Sequence, residues 1–220
     1  IKKGVMIADN TQQTTDDRQQ TTAINSTLVV DSPWSVVKIL AHLFSYLFHP
    51  IFIPLYAVAF LVFIHPSYFS GFSMAAKKQT LLIVFINAVA FPILAVVLLK
   101  AVGFIQSIFL KTQKERIIPF FITMFFYWWM FYLSRNFKDQ PKVLQFFFFG
   151  ICAATSIGVV INNYIKISLH GMAMGGALGA ILLFSFYYNE GLGLPITIVT
   201  LLTGLVGTSR FIAGSHTNKE

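Results

Sequence analysis

The stretch "SRFIAGSHTNKE" places five residues between the pair Ser209-Arg210 and His216, and sets Glu220 four positions beyond that histidine. His216 and Glu220 are one helical turn apart, so a helix there would put imidazole and carboxylate on one face. Two further polar clusters interrupt the apolar part of the chain. "KTQKERIIP" carries Lys111, Lys114 and Arg116, and "ISLH" carries Ser168 and His170. Together these residues could handle a phosphoester. Such chemistry needs fixed positive donors around the non-bridging oxygens, an in-line nucleophile and an acid for the leaving group. Lys111, Arg116 and Arg210 are the candidate cations, Ser168 a hydroxyl donor, and His170 and His216 the imidazoles. Glu220 would hold His216 in one tautomer, as the carboxylate does in a Ser-His-Asp triad.

The elements that must position these groups are apolar and long. Of the 220 residues 56% are hydrophobic and 11% charged, with mean hydropathy +0.71. A soluble domain carries about 25% charged residues, so the bilayer is the natural solvent. Residues 1–32 are polar, with "TQQTTDDRQQTT" as a low-complexity run, and read as a flexible tail rather than a signal peptide. Residues 33–220 form the membrane domain. Its first stretch, 36–64, is bent at "HPIFIP"; further spans are expected at 79–100, 120–133, 143–161, 169–188 and 192–208. Each of these has the length of a membrane helix or a large part of it, whereas barrel strands would alternate over about ten residues. The sequence thus predicts an all-α polytopic membrane protein of about six transmembrane helices. Two spans separate each polar cluster from the next, so all three clusters fall on one side of the membrane.

The net charge is +8. The basic residues occupy short loops between apolar stretches, which favours anionic lipid headgroups over nucleic acid as company. Loops on the side opposite the clusters hold Lys77, Lys78, Arg135, Lys138 and Lys142 against Asp139 and Glu190. By the excess of Lys and Arg that side is cytoplasmic, which puts the clusters outside, as in a bacterial inner membrane with its periplasmic face. The single Cys152 lies in an apolar run and excludes both a disulfide framework and a cysteine metal site.

The clusters resemble the three motifs of the type 2 phosphatidic acid phosphatases, a superfamily shared with the vanadium haloperoxidases: K-x6-R-P, P-S-G-H and S-R-x5-H-x3-D. "SRFIAGSHTNKE" is similar to the third throughout, with Glu220 in place of Asp. "ISLH" is similar to the second at Ser168 and His170. In the first, Lys111 and Pro119 keep the spacing while the arginine stands at 116 instead of 118. The resemblance covers residues 111–220. It implies a metal-independent, cofactor-free hydrolase in which His216 takes the phosphate covalently and Glu220 orients it. His170 would protonate the leaving oxygen, and Lys111, Arg116, Ser168 and Arg210 would bind the phosphate. The implied substrate is a phosphorylated lipid: phosphatidic acid, phosphatidylglycerol phosphate, an isoprenyl diphosphate or a lipid A phosphate. It also implies a seventh, apolar span after Glu220.

Other residues read as structural. His42, His49 and His65 sit beside prolines or at span ends, and Lys166 reads as an interfacial anchor. Gly171, Gly175 and Gly179 recur every fourth residue, which predicts close helix packing that fixes His170. The Phe and Trp residues of 120–132 read as lipid-facing bulk. The altered first and second motifs leave a rival reading, a catalytically weak relative serving as accessory subunit to a membrane-protein partner.

Overall fold

The computed structural model describes residues 33–65, 67–106, 113–136, 140–189 and 191–212. They contain helices and no strand. The helices are α1 (Pro33–Leu47), α2 (Ile53–Ile64), α3 (Met74–Ala101), α4 (Gln113–Asn136), α5 (Lys142–Asn162), α6 (Leu169–Tyr188) and α7 (Gly193–Ile212). Helices α3 to α7 run 20 to 28 residues and are long and apolar enough to cross a membrane. At 1.5 Å per residue, 20 residues reach about 30 Å, the hydrocarbon thickness. Large apolar side chains such as Val97, Trp128, Ile157, Phe186 and Leu201 point outward along these helices. Only lipid satisfies so much apolar surface, and only a helix satisfies its own backbone within lipid. The chain is an all-α polytopic membrane protein.

Five helices meet that length, where the sequence led us to expect six. The first apolar stretch breaks at His49-Pro50, and α2 has 12 residues, about 18 Å. The missing amide of a proline stops a helix, and two of them flank this turn. The segment nevertheless passes from one end of the bundle to the other. Ile53 packs with Met174 and Val206; Val58, Leu61, Val62 and Phe69 pack with Leu144, Phe184 and Leu192. In α3 a π-helical turn at Ile86–Ala90 precedes Pro92. The wider turn accommodates the proline ring against the preceding carbonyls. There Asn87 Nδ2 donates to the Ile83 carbonyl at 2.8 Å.

Helix α4 lies along α5, α6 along α7, and α1 against α7. Neighbouring helices press closely on Gly158 of α5. A Cβ there would come within 2.7 Å of Met172 Sδ and 2.9 Å of Phe120 Cζ. The expected glycine seam at 171, 175 and 179 is not where helices meet. A Cβ at Gly175 or Gly179 would touch nothing within 4 Å, and the Cβ of a residue at 171 would meet only Ser168. Glycine lowers the height of a helix surface, but a neighbour must still lie over it, and none does here. The aromatic stripe does face outward: Phe121, Phe125, Trp128, Trp129 and Tyr132 are exposed, with Trp128 stacked on Tyr132 at 6.0 Å.

The bundle has two distinct ends. At one, Gln113 Nε2 donates to the Asn162 carbonyl, and the starts of α4 and α6 meet the end of α7. At the other, Gln140 Nε2 donates to Thr80 Oγ1 at 3.1 Å, and the Tyr68 and Tyr188 rings meet at 5.3 Å.

Candidate active site

The first of these ends collects the polar side chains. Arg116 stands in the first turn of α4 and reaches across to α6, its Nη1 donating to the Ile167 carbonyl at 3.2 Å. Ser168 comes next in the chain and caps α6. Its backbone is extended (φ −80°, ψ 105°), and Oγ accepts from the Gly171 amide at 3.2 Å. Serine before an apolar helical run satisfies one of the unpaired amides of the first turn. The capping bond uses an Oγ lone pair, so the hydroxyl keeps its O–H as a donor.

His170 lies in the first turn of α6. Its Nε2 stands 3.1 Å from the Ser45 carbonyl of α1. A carbonyl only accepts, so Nε2 carries the proton and donates. Arg210 occupies the last turn of α7, where a cation meets the negative end of the helix dipole. Its neighbour Ser209 is buried and bonds back to the Leu205 carbonyl at 2.7 Å.

A residue that the sequence reading took as structural joins them. His49 presents its ring edge to face against His170, with centroids 5.5 Å apart and planes at 81°. It belongs to the turn between α1 and α2. The Phe52 amide donates to the His49 carbonyl at 2.9 Å, the Tyr56 hydroxyl to the Leu47 carbonyl at 3.0 Å, and the Ile51 amide to His49 Nδ1 at 3.4 Å. The ring retains accessible area because it faces a cavity, yet protein atoms crowd around it. That burial first, and the charge of Arg210 second, push the imidazole below its ordinary pKa. Arg116 and Arg210 are also within Coulombic range of each other. Glu115 is the only carboxylate among the described residues.

The cavity measures about 660 Å³. His49, Arg116 and Leu169 line it at the polar end, and apolar side chains line it along α6 as far as Tyr187 and Tyr188. Ala173, Gly176, Ala177, Gly179 and Ala180 form its α6 wall. The small residues therefore open space rather than close it. Such a volume lies within the roughly 300–1,000 Å³ typical of small-molecule sites. Beneath the polar end, the fully buried Asn162 has neither Nδ2 nor Oδ1 paired among the described residues. Among the described residues no three His, Cys, Asp or Glu side chains converge as metal ligands.

Arg116, Ser168, His170 and Arg210 thus come to one end of the bundle from three separate helices. Lys111, His216 and Glu220 lie outside the described residues. His49 had one sequence signal, overlooked: a His-Pro turn at the end of an apolar stretch, at the level where the three clusters fall. Comparison with family models, with curated proteins and with solved structures gave no match.

Proposed function

We propose that this protein is a membrane-embedded phosphatase, a divergent relative of the type 2 phosphatidic acid phosphatases, acting on a lipid phosphate or diphosphate. The observation that carries the reading is the joining of two things at one place. Two guanidiniums and the His170 imidazole gather at one end of a helix bundle, beside an apolar cavity that runs along α6. A phosphorylated lipid has that distribution of charge and hydrocarbon. His216 attacks phosphorus in line, and the P–O bond to the lipid breaks as His170 gives the leaving oxygen a proton. Water then hydrolyses the phosphohistidine to free His216 and phosphate. Glu220 orients His216; Lys111, Arg116, Ser168 and Arg210 hold the non-bridging oxygens. No metal or other cofactor enters this mechanism. The site faces the periplasm of a bacterial inner membrane, as the Lys and Arg excess of the opposite loops argues.

One observation favours a second reading, an accessory subunit without turnover. Two residues of the first and second motifs make bonds that stabilise the fold, Arg116 to the Ile167 carbonyl and Ser168 to the Gly171 amide. The deciding experiment is phosphate release from a panel of lipid phosphates by the purified protein, with His216→Ala alongside. Turnover by the wild type that falls at least ~100-fold in the variant supports the phosphatase. A variant with a tenth of wild-type activity removes His216 from its role. Absence of turnover on every substrate selects the accessory reading.

A further inference from the structure

We infer that His49 is a binding residue of this pocket, its Nε2–H donating a hydrogen bond to a non-bridging oxygen of the phosphate held by Arg116 and Arg210. The inference rests on reading this end of the bundle as a phosphate site, and nothing in the three sequence motifs includes His49.

Three observations carry it. The ring is held by its turn, since the backbone is closed by the Phe52 amide and the Tyr56 hydroxyl ties α2 back to the end of α1. The ring also has a determined polarity. Nδ1 accepts from the Ile51 amide at 3.4 Å, so in the neutral imidazole the proton is on Nε2. The ring is also at the polar end of the cavity: His49 lines it together with Arg116 and stands edge to face with His170, the proposed acid.

The surroundings make a neutral ring more useful than a charged one. His49 meets His170 ring to ring, lies within Coulombic range of Arg210, and shares the cavity lining with Arg116. Burial and the Arg210 charge both oppose its protonation. A third full positive charge among two guanidiniums would cost energy whenever the site is empty. A neutral imidazole adds a donor without that repulsion. It leaves the proton delivered to the leaving group to His170 alone.

The test uses the full chain purified in detergent micelles, as wild type, His49→Phe and His49→Gln. Phenylalanine keeps a ring against His170 and Phe52 and removes the donor; glutamine restores an N–H. Inorganic orthophosphate is titrated while the melting temperature is followed, because a ligand of the folded state raises it with the logarithm of its concentration relative to Kd. Phosphate release from phosphatidic acid is measured on the same samples. The expected result is a wild-type rise in Tm that requires about tenfold more orthophosphate in His49→Phe, as for loss of one hydrogen bond to a charged group. In His49→Gln the titration returns toward wild type. If His49→Phe does not fold, His49→Ala replaces it with the same expectation. A His49→Phe titration equal to wild type overturns the inference, and so does a wild type blind to orthophosphate. The two readings separate cleanly. His49-dependent phosphate binding with no lipid turnover in any sample keeps His49 and removes the phosphatase. Equal turnover and equal KM in wild type and His49→Phe keep the phosphatase and remove His49.

Discussion

Arg116, Ser168 and His170 each tie one side-chain atom to the backbone of the bundle. His170 is the clearest case. Its Nε2 proton is engaged by the Ser45 carbonyl, so in the proposed mechanism it is the imidazolium that gives the leaving oxygen its Nδ1 proton. In that mechanism Ser45 sets the direction of the acid as well as its position. In the proposed mechanism His170→Ala slows release of a lipid alcohol by about 10²- to 10⁴-fold, the usual contribution of a positioned acid. Release of p-nitrophenol, which leaves without protonation, falls by less than about tenfold. Steady-state rates on the two substrates check this, and equal losses would make His170 a packing residue. That Arg116, Ser168, His170 and Arg210 come to one end was legible from residue type and spacing. The place of His49 among them was not, because the ring it meets, His170, is 121 positions away.

At the scale of elements, two local breaks build the site. The His-Pro turn ends α1 and hands the chain to α2, and the serine cap starts α6 one residue ahead of His170's neighbour Leu169. Helix contact is then decided by which glycines have a neighbour over them. Gly158→Leu is expected to lower stability by about 1–3 kcal/mol, since the new side chain meets Met172 and Phe120 at the α4, α5 and α6 junction. Gly175→Ala is expected to leave the melting temperature equal or higher. Nothing lies within 4 Å of its Cβ, and alanine favours the helix by about 1 kcal/mol. Thermal melts of both variants in micelles test the pair. A destabilised Gly175→Ala would restore the glycine seam that the i, i+4 spacing suggested.

For the whole molecule, the question is which face of the membrane receives the polar end. In the proposed orientation, Tyr164 stands outside and Asn136 in the cytoplasm; both are exposed, at opposite ends of the bundle. In a Cys152→Ser background, a membrane-impermeant thiol reagent is expected to label Tyr164→Cys in intact cells. It should label Asn136→Cys only after permeabilisation. The reverse pattern would invert the orientation and leave the arrangement of the site unchanged.

The sequence by itself determined that the chain is helical and lipid-embedded, and that Arg116, Ser168, His170 and Arg210 share one end. Hydropathy and length act locally, and parity needs only a correct count of the crossings between clusters, which α4 to α7 supply in pairs; the broken first stretch lies ahead of all of them and leaves that count unchanged. Only the tertiary structure decided what each small or polar residue faces. The same i, i+4 spacing of glycines can seat a helix or open a cavity, depending on whether a neighbour lies over it, and here Gly179 borders a cavity while the isolated Gly158 seats the helices. His49 likewise became a partner of His170 through the path of the turn that carries it. Spacing along a chain fixes which residues share a face, and packing alone fixes what that face meets.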